Sequence, residues 1–118
     1  MKTIYIKDFS EFPGPRYRRL GKASGEEFRE DVLLPKLNQT SDLIIDLDGV
    51  AGYGSSFLEE VFGGCIRSNI EANVMRAIVE NLVSKDDPDL IYEIKDYVED
   101  AIAHKAQNNG NIDRKSVV

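Results

Sequence analysis

Two adjacent hydroxyls, Ser55 and Ser56, stand between a glycine-rich segment and an apolar stripe. Serines at such a junction do one of two jobs. As a helix cap, the hydroxyl accepts a hydrogen bond from an amide two or three residues on. As a phosphoacceptor, it gains about −1.5 to −2 charges and three strong acceptor oxygens. Ser56 and Glu59 have capping-box spacing, so Ser56 is expected to cap a helix. The same turn suits regulation, because a phosphate there meets the positive end of that helix beside Glu59 and Glu60. One residue can do both.

Other residue types give less. Asp46 and Asp48 have strand spacing and share a face; with Asp42 they suggest a metal-carboxylate site. No Asp-x-Asp-x-Thr signature follows, since Gly49 and Val50 come next, and a solvated strand end is the favoured reading. Gly49, Gly52 and Gly54 suggest a phosphate-cradling loop, but Gly-Lys-Ser/Thr and Gly-x-Gly-x-x-Gly are both missing. A tight strand-to-helix turn explains these glycines better. The hydrolase elbow Gly-x-Ser-x-Gly is missing too, because Leu58 stands where its last glycine belongs. Cys65 and His104 offer a nucleophile and a base. Cys65 falls on an apolar stripe, however, and a buried, inert thiol is expected. Arg16, Arg18, Arg19 and Lys22 cluster just before Ser24, where guanidinium groups and a helix start both favour anions. They read either as a contact for a phosphoryl group or acidic partner, or as a solvated loop.

The elements that position these residues follow from hydropathy and breakers. Residues 2–7 alternate around Ile4 and Ile6 and predict a strand. Pro13-Gly14-Pro15 breaks the chain, after which Arg16–Leu20 is expected to return as a second strand in a hairpin. Ser24-Gly25-Glu26-Glu27 is a capping box opening a helix that Pro35 should kink or end. Leu43–Asp48 predicts a central strand covered on both faces. Phe57, Leu58, Val61, Phe62, Cys65 and Ile66 predict a helix whose interior holds Gly63-Gly64. Each of these glycines costs about 1 kcal/mol relative to Ala, so another backbone is expected to approach closely there. Residues 69–78 predict a short helix, and 80–84 an edge strand. Asp86-Asp87-Pro88-Asp89 opens a last amphipathic helix. The expectation is an α/β domain over residues 1–106, a mixed sheet of about four strands with helices packed against it. Residues 107–118 are expected to form a flexible tail.

Composition bounds the function. One domain accounts for 118 residues. Residues 1–40 carry eight Lys/Arg and six Asp/Glu, whereas 41–118 carry seven and fifteen. The acidic part repels phosphate backbones and disfavours general nucleic-acid binding. No apolar run reaches the roughly 20 residues of a membrane span, and no signal peptide is expected. A lone cysteine excludes an intrachain disulfide and fits a reducing, cytoplasmic setting.

The unit Leu43–Leu58, a hydrophobic strand, a glycine turn, two serines and a helix, resembles the STAS family. That family includes bacterial anti-sigma factor antagonists, phosphorylated on a serine or threonine at this turn by kinases with a GHKL-type ATP-binding fold. The resemblance places Ser56 on the phosphorylated position and Ser55 just before it. Still more similar is the STAS-like family of unknown function. Its motifs read here as Arg16-Tyr17, Gly21-Lys22-Ala23-Ser24-Gly25-Glu26-Glu27-Phe28-Arg29, Ser56-Phe57-Leu58-Glu59-Glu60-Val61-Phe62-Gly63-Gly64 and Asp86-Asp87-Pro88-Asp89-Leu90. Gly54 and Phe57 depart from the antagonists' Asp and Gly. The resemblance implies a cofactor-free signalling module, not an enzyme. It would dock a GHKL-type ATPase or kinase, or an anti-sigma factor, through Gly52, Tyr53, Gly54, Ser56, Glu59 and Glu60. The alternative is a structural interaction subunit without a phosphoswitch, for example in transcription regulation or phage defence. An enzyme using Asp46, Asp48 or Cys65 is the third class.

Overall fold

The computed structural model describes the backbone of residues 2–117 and the side chains of residues 2–108. Strand β1 (Lys2–Tyr5) lies parallel to β2 (Leu43–Asp46), with Lys2 opposite Leu43 and Tyr5 opposite Asp46. Val83 bridges β2 on its other side: its amide donates to Ile45 O, and its carbonyl accepts from Leu47 N. The expected central strand is therefore central. Leu43, Ile45 and Leu47 turn inward, while Ile44 on the opposite face is only half-buried.

The sheet of about four strands is not formed, because two expected strands are missing. Among the described residues the sheet has two strands. Arg16–Leu20 makes no hairpin; Arg18–Leu20 is a single 3₁₀ turn. Its one apolar residue, Leu20, is left exposed together with Arg18 and Arg19. The chain instead folds back as a strap, with Gly14 N bonded to Ala23 O and Gly25 N to Pro15 O. The edge strand at 80–84 shrinks to the Val83 bridge. Asn81 ends the preceding helix, and the Ser84 hydroxyl donates to Asp87 O, turning the chain away after one extended residue. At the N-terminal side, the strand expected over 2–7 stops at Tyr5, and α1 (Ile6–Phe9) follows with Ile6 still fully buried.

Two longer helical runs are built alike. The first joins α2 (Gly25–Phe28), a wide π turn (Arg29–Leu33) and α3 (Leu34–Leu37). The second joins α4 (Ser55–Leu58), a π turn (Glu59–Gly63) and α5 (Gly64–Arg67). In each, one amide reaches back five residues: Leu34 N to Arg29 O, and Gly64 N to Glu59 O. In the first run the widening comes just before Pro35, which lacks an amide and would crowd an ordinary turn. The proline is absorbed by a bulge and does not end the helix. Ser24 caps α2 as expected, accepting from Glu27 N at 3.0 Å.

Helix α6 (Ala72–Glu80), displaced slightly from the expected 69–78, and α7 (Asp89–Val117) complete the order. Most of the tail expected at 107–118 lies outside the residues whose side chains are described. The core gathers Phe28, Phe57, Phe62, Met75, Ile78, Ile94 and Val98 over the inner face of β2. Phe28 joins the two helical runs, with its ring 5.2 Å from Phe9 and 6.3 Å from Phe57. These three rings fix how α4, with the serine turn, sits against α2 and α1.

Candidate functional site

The turn leaving β2 is organised by carboxylates. Asp46 Oδ1 accepts from Asp48 N, Asp48 Oδ1 from Asp86 N, and Asp86 Oδ2 from Gly49 N, at 2.9, 2.9 and 3.0 Å. Asp46 and Asp48 thus spend acceptor capacity tying the β2 turn to the approach of α7. Among the described residues, no three side chains of metal-ligating type converge. Of the glycines in the turn, Gly49 alone needs its freedom, with φ +84 and the Lys7 side chain against it; Gly52 and Gly54 face open space. The Tyr53 phenol donates to Leu47 O at 2.6 Å. Burial, and then the charges of Asp46, Asp48 and Asp86, push its pKa well above the ordinary value. Tyr53 is accordingly a fixed strut beneath the turn. A cavity of about 240 Å³ opens beside it, lined by Asp48, Tyr53, Ser84 and Asp86. It lies outside the carboxyl ends of the parallel strands, the usual position for binding in such sheets.

Ser55 and Ser56 follow, both exposed. Here the capping expectation is corrected. Gly54 is the N-cap, extended at φ −78 and ψ 146, and no side chain caps the run. Ser55 and Ser56 are already helical, so Ser56 sits one or two residues too late for its hydroxyl to reach back over the first turn. The two serines also face different neighbours. The Ser55 hydroxyl lies in the neighbourhood of the Tyr97 phenol on α7, and Tyr97 donates to Glu93 at 2.5 Å. Burial, followed by Glu93, pushes the Tyr97 phenol up to about 12. Ser56 is spaced three and four residues before Glu59 and Glu60, which places it one turn below them on the helix surface.

Glu59 and Glu60 occupy the second π turn and anchor an ion cluster. Glu60 is almost fully buried and pairs with Arg29 from the facing π turn; Arg29 Nη1 also donates to Glu60 O at 2.9 Å. Arg67 grips Glu59 with both Nη atoms, at 2.8 and 2.9 Å. Arg16 reaches over from the strap and pairs with Glu59, and with Glu60 at 3.2 Å. Burial pushes the Glu59 carboxyl up, but the hydrogen bonds from Arg67 and Arg16 outweigh it and hold the group below its ordinary value. The sequence marked this place through Gly63-Gly64. The close approach inferred there is real, but side chains make it: a Cβ at Gly64 would strike the Arg29 guanidinium, and one at Gly63 the Glu59 carboxylate. Backbone approaches backbone elsewhere, at Gly25, where a Cβ would lie 2.7 Å from Phe57 O.

The expected basic cluster is divided by the fold. Arg16 turns inward to the glutamates, and Arg18 pairs with Glu30 and with Asp31 at 2.8 Å. Arg19 and Lys22 remain exposed, Arg19 lying over the Tyr17 ring. Cys65 is buried as expected, and desolvation pushes its thiol up to about 12. Arg29 and Arg67 were missed as site residues. Their partners lie 31 and 8 residues away, beyond any local motif.

A small parallel sheet covered by helices thus carries a glycine turn that presents two serines at a helix start. Residues 24–87 match the family model described as a STAS-like domain of unknown function (DUF4325), and the chain belongs to that family. That span runs from the Ser24 cap to Asp87, and so includes both π turns and the serine turn. Comparison with curated proteins and with solved structures gives no match. No helix of the described residues is long and apolar enough to cross a membrane.

Proposed function

We propose that this chain is a non-enzymatic, cytoplasmic switch module that docks a protein partner through the exposed turn at Gly52–Ser56; the helix beyond it is buried from Phe57 to Ile66 apart from half-buried Glu59 and offers no docking edge. The partner is a GHKL-type ATPase or kinase, or an anti-sigma factor. Its release or capture is set by phosphorylation of the turn. The kinase moves the γ-phosphoryl group of ATP onto the serine Oγ; the bond to ADP breaks, and the hydroxyl proton leaves to solvent. No cofactor bound to this chain is needed.

One observation carries this reading. Ser55 and Ser56 are exposed in the first turn of a helix that Gly54 caps, so Ser56 has no capping duty to perform. The test is incubation of the full chain with ATP and a candidate GHKL-type kinase from the same cell, followed by peptide mass spectrometry and a binding titration. Phosphate on Ser56, with at least a tenfold change in partner affinity for Ser56→Asp, is the expected result. No phosphate on either serine, together with unchanged affinity, rejects the switch. A partner-binding subunit with no switch is the second reading. It is favoured by Phe57, fully buried against Phe28 in the place where the antagonists keep a glycine.

A further inference from the structure

The ion cluster holds three arginines and two glutamates, and the distribution of its contacts shows which arginine is surplus. Glu60 has Arg29, whose guanidinium lies on Gly64 and also donates to Glu60 O. Glu59 has Arg67, with two donors on two oxygens. Arg16 is the third, bridging both carboxylates from the strap with a single nitrogen, Nη1. If Arg16 leaves, neither glutamate loses its principal partner. If Arg29 leaves, a buried carboxylate loses it. Arg16 is also the cluster's link to a separate segment, since its backbone is fixed by Glu26 N donating to Arg16 O while its side chain spans to the second helical run.

We propose that Arg16 is the internal counter-ion of a phosphoryl group on Ser56, moving its guanidinium from Glu59 and Glu60 to the phosphate. The proposal rests on the phosphoswitch reading and adds the residue that receives the phosphate. A dianionic phosphate competes well for a guanidinium held through one nitrogen, because it accepts both forks at once. The move is about one helical turn, since Ser56 precedes Glu59 and Glu60 by three and four residues. It also removes the repulsion a phosphate would otherwise meet, because both glutamates remain neutralised by Arg67 and Arg29. Ser55 is served less well. It precedes Glu59 by four residues, but its hydroxyl also lies beside Tyr97 and, through it, Glu93, so a phosphate there meets a further carboxylate. The two serines, adjacent in sequence, are separated by the charges each one faces.

The test needs no kinase. Phosphoserine is placed at position 56 of the full chain during translation, and the phosphate is titrated by phosphorus NMR. In the native background its second pKa is expected to lie roughly half a unit or more below that in Arg16→Gln, since an opposite charge within a few ångströms favours the dianion. Arg16→Lys should restore part of the difference, and Arg19→Gln should leave the titration unchanged. Phosphoserine at position 55 should respond less to Arg16→Gln than phosphoserine at position 56. Equal titrations in the native and Arg16→Gln backgrounds overturn the proposal, as does an equal response at positions 55 and 56. A second measurement covers an Arg16→Gln chain that does not fold: the Arg16 Nε–H signal of the otherwise native chain must move when position 56 carries phosphate. A stationary signal also overturns the proposal. Because the phosphate is installed directly, failure of a kinase to modify Ser56 counts against the switch and leaves this result standing.

Discussion

Replacing Arg29 by Met tests whether the ion cluster holds the two helical runs together. Arg29 and Glu60 are 8% and 6% exposed, so the pair sits where solvent cannot replace a lost partner. Removing one member of a buried pair costs about 3–5 kcal/mol, because the other charge stays behind. Two features pull the value to the lower end. Glu60 keeps Arg16 at 3.2 Å and Arg67 at 3.5 Å. Arg29 also brings its own cost, since its buried Nε has no hydrogen-bond partner. We therefore expect Arg29→Met to cost about 3 kcal/mol, a large share of the 5–15 kcal/mol typical of a domain. In urea, with a slope near 1.5 kcal/mol/M, the midpoint should fall by about 2 M at unchanged slope. Adding Glu60→Leu removes the stranded carboxylate, so the double variant should be more stable than Arg29→Met alone. A single-variant cost below about 1 kcal/mol, or a double variant whose cost equals the sum of the two singles, would refute the reasoning.

The two serine positions should separate in the same assay. Ser24→Ala, which removes a buried cap, should lose about 1 kcal/mol, whereas Ser56→Ala should stay within roughly 0.5 kcal/mol because Gly54 already holds the N-cap. For Cys65, a thiol pushed up to about 12 favours the neutral form in the fold. That contribution is whole below the unfolded value of about 8.5 and is lost as pH rises toward the folded one. Native alkylation by iodoacetamide at pH 8 should therefore be slow and become fast in urea. The fall in urea midpoint between pH 9 and 11 should be shallower in Cys65→Ala than in the native chain.

Local signals were legible in the sequence wherever one residue's chemistry acts on its near neighbours. The Ser24 cap, the strand at Leu43–Asp46, two residues shorter than expected, and the Asp89 helix start each depend on contacts within a few residues. The lost strands show the limit of this approach. Arg16–Leu20 suggested a short strand, but with Leu20 left exposed among three arginines it has too little apolar surface to bury, and a strap results. At 80–84 the apolar residues are present, yet Ser84 bonds to Asp87 and ends the pairing after Val83. The candidate site divides along the same line. The serine turn was visible because strand, glycines and helix are contiguous. The arginine cluster was not, because Arg16, Arg29 and Arg67 reach Glu59 and Glu60 from three separate segments. Its one sequence trace was the pair of glycines inside a helix. The Ser56 cap failed by one or two residues, a shift that pattern reading cannot resolve when Gly54, Ser55 and Ser56 all suit an N-cap.

The parallel pairing of β1 with β2 bears on the order of folding. A parallel pair cannot close through a short turn, and here the strap and the whole 25–37 helical run lie between the strands. Closing a loop of that length costs about 3 kcal/mol of chain entropy before the first ladder bond forms. The helical runs need only local contacts and the Phe28–Phe57 approach, so they can assemble while β1 is still free. β1 is then the last element to join and, by the same arithmetic, the first to detach. Amide exchange at Thr3–Tyr5 should outpace exchange at Ile45 and Leu47, although these residues share one sheet. This would make the N-terminal strand a separately melting unit, able to open without disturbing the serine turn.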